Sequence, residues 1–446
     1  MNYNENVTVI IPCWNEYENL KECVSLLREH YKKIHIIVVN NGSIDKTQEW
    51  LDKQKLDNVY FEEGVQTVGR VLNIVLENFN VNEYIFLIWP NVRVGKKTIS
   101  SMIETLQKKN AGIVGCCANN EKYEQNIELQ SYEDLVRIEN TNVGKKDYEV
   151  IGCYGLCYGF AKSLVQKLGK FDENLAYTDV MVDYQLRSIK ENYVNIISRN
   201  SYVYENVVSE DNTKWIQLLR QSDRRYLREK WQTNYFILSS NDKFNLLLCR
   251  DEEDEFNVLE VGCDMGANLL GIKNKYLNCK IYGLEINKSS AEIGKHIANI
   301  ECGNIEDENV NFDVKFDYII LGDVLEHLYN PLKTIEYCKT LLNKNGRIIA
   351  SIPNVMHISI IEQLLKGEFR YTDIGLLDKT HIHLFTQKEI VKMFMEAGYI
   401  IETLQGIIFE ITEKQKELIQ KLMDISEGIT EDMYKVYQYT IVARVL

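Results

Sequence analysis

Proline is scarce in this sequence, and four prolines among 446 residues exclude a proline-rich stalk or linker. No apolar run approaches the roughly 18 residues of a membrane-spanning helix. Residues 1–6 carry neither the basic region nor the apolar core of a signal peptide. Basic residues are in the minority, since 51 Lys and Arg against 65 Asp and Glu give a net charge of −14. We therefore expect no transmembrane segment and no nucleic-acid partner.

The eleven cysteines form no paired C-x-x-C set. Several of them lie inside apolar, strand-like runs, namely Cys116, Cys117, Cys249 and Cys263. This pattern favours buried, reduced thiols and predicts a cytoplasmic protein. Apolar residues make up 45% of the chain and charged residues 26%, which is typical of a globular protein. The length allows up to three domains, with two large ones equally plausible.

Short apolar strands alternate with amphipathic helices along the chain, and this series restarts once. In the first series, strands are predicted at residues 7–11, 34–39, 59–62, 84–88 and 153–160, and helices at 46–53, 68–76, 161–168 and 213–231. The strand–helix rhythm predicts a parallel sheet covered by helices on both faces. Residues 120–150 are polar and less regular. The basic run of the last helix, from Arg220 to Lys230, is most simply a solvated face.

The second series begins near residue 236. A helix is predicted at 242–249, and strands at 257–261, 280–284, 318–321 and 347–351. The series closes with a strand at 400–407, a helix at 412–423 and a strand at 437–445. A closing strand–helix–strand unit on a parallel sheet suggests an antiparallel edge strand.

A glycine-containing turn follows the first strand of the second series. Gly262 and Gly266 permit a sharp strand-to-helix turn and the close approach of a ligand. Glu285 ends the next strand, 23 residues after Gly262, where an acid can accept both hydroxyls of a ribose. The spacing favours a nucleotide-type ligand, and the alternative is a tight turn followed by a strand-ending acid.

These residues resemble the class I S-adenosylmethionine-dependent methyltransferases over about residues 236–446. The segment from Glu260 to Gly266 resembles the first motif of that family, and Glu285 its ribose acid. Residues 303–306 resemble the loop along the adenine, with Asn304 where the family usually has Asp, and residues 323–328 resemble the motif after the fourth strand. The resemblance implies that S-adenosylmethionine is bound by Glu260, Gly262, Cys263, Asp264, Gly266, Glu285, Ile286, Asn304, Ile305, Asp323 and Val324.

Two further stretches, residues 352–355 and 369–386, resemble small-molecule methyltransferases of surface-glycan pathways. The resemblance implies a sugar or glycan acceptor. A sugar hydroxyl is a poor nucleophile, so a general base helps. Glu326, His327 and His381 are the candidate catalytic residues, with His383 as a weaker one, and the alternative for each histidine is a structural hydrogen bond. The spacing of these side chains does not demand a metal ion.

The start of the chain resembles the family 2 glycosyltransferases, whose GT-A fold is a nucleotide-binding α/β domain. The resemblance covers about residues 6–232, and its opening motif is the run from Val9 to Leu20. Asn15 and Glu16 follow the end of a strand, where an open parallel sheet binds ligands. The resemblance implies that a nucleotide sugar contacts Pro12, Asn15, Glu16, Asn40, Asn91 and Asp183.

The acids that this family uses are missing from the expected positions. Trp89 and Asn91 stand where the family has metal-binding acids, so Mg²⁺ or Mn²⁺ is expected only if this domain is active. Val180 and Met181 stand where it has its general base, and Asp179 nearby is a possible displaced base. Arg93 either binds phosphate directly or, more simply, is solvated.

The two resemblances imply an α/β protein of two domains. Residues 1–235 form a GT-A-like domain, and residues 236–446 a Rossmann-like class I methyltransferase with a parallel sheet and an antiparallel edge strand. The favoured hypothesis is an S-adenosylmethionine-dependent sugar O-methyltransferase whose first domain has lost its metal and base acids. The alternative is a bifunctional enzyme that also transfers a sugar from a nucleotide sugar. A third hypothesis makes both halves binding modules.

Overall fold

The computed structural model describes residues 6–61, 64–119, 125–141, 144–206, 210–233, 237–240 and 243–446. The chain divides into two compact units. The first comprises Met1–Asn241, Met265–Asn274 and Glu292–Ile297, and the second Asp242–Asp264, Lys275–Ala291 and Ala298–Leu446. The domain boundary predicted at 235/236 lies outside the described residues, so it stays a prediction.

The first unit is built on one mixed sheet. Its strands are β1 (Val7–Cys13), β2 (His35–Asn40), β3 (Asp57–Tyr60), β4 (Tyr84–Ile88), β5 (Val92–Val94), β6 (Ala111–Ala118), β7 (Tyr148–Val150), β8 (Cys157–Ala161) and β9 (Val194–Glu205). The helices are α1 (Tyr17–His30), α2 (Thr47–Leu51), α3 (Val68–Asn78), α4 (Thr98–Leu106), α5 (Tyr132–Thr141), α6 (Lys162–Leu168), α7 (Asp179–Lys190) and α8 (Glu210–Trp231).

The strand order in this sheet is β3-β2-β1-β4-β8-β6-β9-β5, with β7 paired to β9. The pairs from β3 to β4 are parallel, but β8 runs antiparallel to both β4 and β6. The predicted parallel sheet is confirmed for β3, β2, β1 and β4, whereas the rest of this sheet is mixed. A helical crossover returns a strand parallel to its neighbour, whereas β8 follows an irregular connection at 151–156.

Strand β1 explains why the core forms here. All of its seven residues are buried, as expected for a strand covered on both faces. It pairs in parallel with β2 on one side and β4 on the other. The carboxyl ends of these three strands therefore share one edge of the sheet, which is where an open parallel sheet binds ligands.

The second unit also has one sheet. Its strands are β10 (Asn257–Val261), β11 (Lys280–Glu285), β12 (Asn299–Cys302), β13 (Phe316–Gly322), β14 (Leu342–Pro353), β15 (Tyr399–Ile408) and β16 (Val436–Val445). The helices along this part of the chain are α9 (Ala267–Lys275), α10 (Lys288–Gly294), α11 (Pro331–Leu341), α12 (Ile358–Leu365), α13 (Gln387–Glu396), α14 (Glu413–Met423) and α15 (Glu431–Lys435).

The order of this sheet is β12-β11-β10-β13-β14-β16-β15. The pairs from β12 to β14 are parallel, while β16 runs antiparallel to both β14 and β15. Antiparallel pairing at this end of a parallel sheet confirms the predicted fold class. The antiparallel strand itself is β16, and it lies between β14 and β15 rather than at the outer edge.

Two local expectations changed. The helix predicted at 242–249 is only a short 3₁₀ turn at Asn245–Leu247, in which Leu246 is exposed instead of packing on a core. All eleven cysteines are free thiols and most are buried, but Cys249 is exposed, contrary to expectation. Across the described ranges, no helix combines the length and apolarity needed to cross a membrane.

Candidate active site

The loop after β10 adopts a backbone that needs glycine. Gly262 has a φ of +69° and Gly266 a φ of +93°, and Asp264 between them is also left-handed, with a φ of +49°. A Cβ atom on Gly262 would lie 3.1 Å from Cγ2 of Val324. The predicted loop residues therefore form a tight turn, and this turn lies against the start of the segment after β13.

Glu285 lies beside this turn because β10 and β11 are parallel neighbours, with Val261 opposite Leu284. Its carboxylate is buried and held by two main-chain donors. The N–H of Asp264 donates to Oε2 at 2.8 Å, and the N–H of Asn287 donates to Oε1 at 2.7 Å. Each oxygen keeps a further lone pair. The fixed acid is thus able to accept the two hydroxyls of a ribose.

The remaining predicted cofactor residues follow the neighbouring strands. Asn304 follows β12, and its side-chain oxygen accepts the N–H of Glu306 at 3.0 Å. Ile286 presents an exposed apolar side chain directly after Glu285, while Ile305 is buried. Glu260 and Cys263 are buried too. This edge of the sheet thus offers hydrogen-bond acceptors for ribose hydroxyls, a side-chain amide and an apolar surface. That combination fits an adenosine-containing cofactor.

A second group of predicted residues meets at the end of β13. Glu326 and His327 lie in a 3₁₀ turn at Leu325–His327. The main-chain carbonyl of Glu326 accepts the N–H groups of Ile382 and His383 at 2.9 and 3.0 Å. These two bonds bring the segment around residue 381 to Glu326, although 55 positions separate the residues in the sequence.

His327 and His381 are oriented by main-chain carbonyls. The Nδ1 atom of His327 lies 3.1 Å from the carbonyl oxygen of Thr380, and Nδ1 of His381 lies 3.1 Å from that of Leu376. A carbonyl oxygen only accepts hydrogen bonds, so each Nδ1 carries the proton. The Nε2 atom of each ring is then left with its lone pair. The ring centroids are 4.8 Å apart.

Glu326 is a buried carboxyl group with an exposed fraction of 1%. Neither of its side-chain oxygens accepts a hydrogen bond within the described part of the chain. Oε1 lies 4.0 Å from Nε2 of His381, which is too long for a hydrogen bond. Burial, and secondarily the charge of Asp323, raises the pKa of Glu326 to about 8.

The neighbours of this group have other partners. His383 is directed elsewhere, since its Nε2 lies 3.2 Å from the carbonyl oxygen of Tyr329. Oδ1 of Asp323 accepts hydrogen bonds from Ser351 and Gln438.

Among the described residues, the one cluster of three side chains able to hold a metal ion is Glu326, His327 and His381, although the sequence spacing did not demand it.

The first unit has a cavity of about 190 Å³ at the carboxyl ends of β1 and β4. Four aromatic side chains line part of its wall, namely Trp14, Trp89, Tyr177 and Trp215. The ring centroids of Trp14 and Trp215 are 6.0 Å apart, and those of Trp89 and Tyr177 are 5.8 Å apart. Sequence reasoning missed Tyr177, which precedes α7, and Trp215 in α8, because neither residue lies in a motif that we recognised.

The predicted nucleotide-sugar residues divide into two groups. Pro12, Glu16 and Asn91 line the cavity, whereas Asn15, Asn40 and Asp183 are not among its lining residues. The side-chain oxygen of Asn40 accepts the N–H of Ser43 at 3.0 Å, and that of Asn15 accepts the N–H of Ile44 at 2.8 Å. These two asparagines therefore hold the turn after β2.

Asp183 anchors the end of α8. It is fully buried, Nζ of Lys230 lies 2.6 Å from its Oδ1, and Nε1 of Trp231 donates to the same oxygen at 3.0 Å. Arg187 is a second, longer ion-pair partner at 3.6 Å. The prediction that the basic run of α8 is a solvated face is therefore wrong for Lys230, which also pairs with Asp172.

Arg93 is neither solvated nor aimed at a phosphate. Its side chain is buried, with NH2 lying 2.5 Å from a carboxylate oxygen of Glu22 and 2.8 Å from the side-chain oxygen of Asn19. The interpretation of Arg93 as a solvated residue is wrong, because burial in the core is offset here by an ion pair and hydrogen bonds.

Asp179, the possible displaced base, is buried at the start of α7, and burial together with the charge of Asp223 raises its pKa to about 6. It is not among the residues that line the cavity. Since the folded pKa lies above the ordinary 3.8, its favourable contribution is present below pH 4 and is lost as the pH rises through 6.

We therefore expect Asp179→Asn to stabilise the first unit at pH 8 but not at pH 4. A pKa shift of about two units corresponds to roughly 3 kcal/mol at most. Urea unfolding followed by tryptophan fluorescence measures this effect, because all five tryptophans lie between residues 14 and 231. Equal effects at both pH values would mean that Asp179 does not titrate in this range.

Comparison with known families gives two matches. Residues 8–169 match the family described as glycosyl transferase family 2, and residues 222–404 match a family described as a methyltransferase domain. An uncharacterized protein of Methanocaldococcus jannaschii is 30% identical over 39% of this chain and 76% of its own length. That identity and coverage place the two proteins in one family.

Two further relatives each resemble part of the chain. An uncharacterized glycosyltransferase of Rickettsia prowazekii is 29% identical over 41% of this chain and 58% of its own length. The ubiquinone biosynthesis O-methyltransferase of Dictyostelium discoideum is 23% identical over 34% of this chain and 52% of its own length. The chain thus spans a little over half the length of these two relatives.

Two solved structures are each similar to part of the chain. A mannosyltransferase of Pyrobaculum calidifontis, in complex with GDP-Man and Mn²⁺, is 18% identical, with a TM-score of 0.37 over 48% of this chain and 60% of that chain. A SAM-dependent methyltransferase of Archaeoglobus fulgidus is 17% identical, with a TM-score of 0.33 over 50% of this chain and 99% of that chain.

Proposed function

Because the chain joins a glycosyltransferase family 2 domain to a methyltransferase domain, we propose that it is an S-adenosylmethionine-dependent O-methyltransferase acting on a sugar hydroxyl. The observation that carries this proposal is the placement of Glu326, His327 and His381 at the end of β13. This strand pairs with β10, whose end carries the Gly262 turn. The candidate residues for acceptor chemistry and those for cofactor binding therefore lie at the same edge of one sheet.

The methyltransferase domain has simple tasks. S-adenosylmethionine supplies a methyl group that is already activated by its sulfonium, so the chain has to position the acceptor and exclude water. The Gly262 turn lets the main chain approach the cofactor, and Glu285 accepts the ribose hydroxyls. Glu326, His327 and His381 face the acceptor hydroxyl, which is a weak nucleophile and gains from losing its proton.

The first domain, in this proposal, binds the glycan and does not transfer a sugar. Indole and phenol rings line its cavity, and such rings suit the apolar faces of a sugar. The amide of Asn91 donates to the main-chain oxygen of Asn206 at 3.1 Å, and a neutral amide is a poor ligand for a metal that holds a diphosphate. Val180 and Met181 are fully buried apolar residues and have no capacity to act as a base.

Sugar transfer from a nucleotide sugar is the second candidate function. One feature favours it, namely that the carboxylate-bearing residue Glu16 lines the cavity together with Asn91. In the first domain, Mg²⁺ or Mn²⁺ would be required only under this alternative. The first hypothesis predicts that nucleotide sugars, with or without Mn²⁺, are not turned over.

The experiment that separates the two functions uses the full-length chain. Transfer of a radiolabelled methyl group from S-adenosylmethionine is measured with a panel of sugars, nucleotide sugars and oligosaccharides. Release of nucleoside diphosphate is measured in parallel with and without Mn²⁺. Methyl transfer without nucleotide release supports the proposal, whereas Mn²⁺-dependent release supports the bifunctional alternative. Absence of methyl transfer to every sugar would contradict sugar methylation.

Removing the ribose acid is expected to weaken cofactor binding. Glu285→Ala should cost about 1–3 kcal/mol, which is the scale of losing a charged hydrogen-bond partner. Calorimetric titration of the full chain with S-adenosylhomocysteine measures the change. The matched control is Glu336→Ala, which removes an exposed acid from α11. If both variants bound the ligand equally well, Glu285 would not be the ribose acid.

A further inference from the structure

We propose that Glu326, His327 and His381 form a binding site for one divalent transition-metal cation. One ring nitrogen from each histidine and one carboxylate oxygen of Glu326 lie within 4.8 Å of one another. We take Nε2 as the ligand atom of each ring, because each Nδ1 lies against a main-chain carbonyl. Two imidazoles and one carboxylate suit cations such as Mn²⁺, Fe²⁺, Co²⁺ or Zn²⁺, and they leave coordination positions open. The catalytic use of this site rests on the proposed methyltransferase function.

The hydrogen bonds of the histidines are the first argument. A histidine that binds a metal through Nε2 usually donates its Nδ1 proton to a carboxylate or a main-chain carbonyl. Both rings here do so, toward Thr380 and Leu376, each at 3.1 Å. These bonds fix the tautomer in which Nε2 has its lone pair, and Nε2 of His381 lies 4.0 Å from Oε1 of Glu326.

The carboxylate of Glu326 is the second, independent argument. It is buried, with an exposed fraction of 1%, and neither oxygen has a hydrogen-bond partner within the described residues. An unpaired buried carboxylate is costly, and buried charges are normally paired or bound to a metal. A cation between Glu326 and the two rings would displace the proton of this carboxyl group and compensate the resulting charge.

The spacing of the donors also suits an intervening atom. Oε1 of Glu326 and Nε2 of His381 are 4.0 Å apart, so these two groups are not hydrogen-bonded to each other. A metal bound at about 2.0–2.1 Å from each donor holds neighbouring donors roughly 3 Å apart. The Glu326–His381 pair would have to close by about 1 Å, and the widest pair of the three by somewhat more. A carboxylic acid–imidazole pair without metal would need a similar movement but leaves the second histidine unexplained.

The cation would take over the task of a general base. A hydroxyl bound at an open coordination position becomes more acidic, and its proton passes to a water molecule of the solvent. The acceptor oxygen then forms a bond to the methyl carbon while the carbon–sulfur bond breaks, and that bonding pair stays on sulfur. No oxidant or reductant is needed, so the metal serves as a Lewis acid and positions the acceptor.

Metal binding is tested directly on the full-length chain. The protein is treated with chelator, desalted and titrated with Mn²⁺, and free Mn²⁺ is followed by electron paramagnetic resonance. Binding of Co²⁺ is followed by its visible absorption, which reports nitrogen ligands. We expect one site per chain, and at least a tenfold loss of affinity in His327→Ala, His381→Ala and Glu326→Gln.

His383→Ala is the matched control, because His383 lies two residues from His381 and its Nε2 is directed to Tyr329. It should bind metal like the unchanged protein. Circular dichroism and S-adenosylhomocysteine binding verify that each variant is folded. The proposal is overturned if neither Mn²⁺ nor Co²⁺ binds, or if the three variants bind them with unchanged affinity.

Methyl transfer gives a separate readout. Metal binding with no methylation of any sugar would leave the site standing and contradict the proposed function. Methylation that persists after chelation, in a protein that binds no added metal, would support the proposed function and contradict the metal site. Loss of methylation on chelation and its recovery with Mn²⁺ supports both.

Discussion

Gly262→Arg is expected to abolish the binding of S-adenosylmethionine. Gly262 has a φ of +69°, a backbone conformation that residues with a side chain rarely adopt. A Cβ atom there would also lie 3.1 Å from Val324, and the rest of an arginine side chain has to enter the space in front of the loop. Calorimetric titration should therefore show no binding at ligand concentrations a hundredfold above the dissociation constant of the unchanged protein.

The control for this experiment separates loss of the site from backbone strain. Gly367 has a similar φ of +73°, but a Cβ atom on it meets nothing within 4 Å. Gly367→Arg thus carries the same conformational cost in the same unit without filling the loop, and it should bind the cofactor normally. Unchanged cofactor affinity in a folded Gly262→Arg variant would contradict the assignment of the loop.

Asp183→Ala is expected to produce the largest loss of stability in the first unit. Asp183 is fully buried, and its loss leaves Lys230 and Arg187 without this partner and the indole N–H of Trp231 without its acceptor. Breaking a buried ion pair by removing one partner costs about 3 kcal/mol or more. Urea unfolding followed by tryptophan fluorescence should show a clearly lower midpoint.

Two companion variants make this prediction specific. Asp183→Asn retains an acceptor for Trp231 and should lose less stability than Asp183→Ala. Glu49→Ala removes an exposed ion pair with Lys53 and should leave the midpoint unchanged, because exposed pairs contribute little. Equal midpoints for Asp183→Ala and the unchanged protein would show that this network does not hold α8.

The parts of the candidate site that the sequence predicted are local ones. Gly262 and Glu285 were found because both follow strand ends, and parallel strands bring their carboxyl ends to one edge. Glu326 and His327 were found through the resemblance of residues 323–328 to the methyltransferase motif after the fourth strand. Local pattern is sufficient here because the geometry of one strand and the next turn determines where these side chains lie.

The parts that the sequence did not predict depend on long-range contacts. The meeting of His381 with Glu326 depends on main-chain bonds across more than fifty residues, and the proton positions on both histidines depend on carbonyls that no pattern reveals. Arg93 looked solvated because its charge suggests a surface position, yet a distant acid, Glu22, allows its burial. Strand direction around β8 was missed for the same reason, since it depends on pairing rather than on periodicity.

The position of β16 in its sheet has a consequence for biosynthesis. This strand lies between β14 and β15, yet the ribosome makes it after every other strand of that sheet. The sheet of the methyltransferase domain is therefore split until residue 445 has been translated, while the sheet of the first domain has all its strands once residue 205 is made. Domains fold as units, with the N-terminal one first during synthesis. The nascent chain thus acquires the strands of its first domain well before those of its methyltransferase domain, and an unfinished chain exposes the edges of β14 and β15 with which β16 would pair.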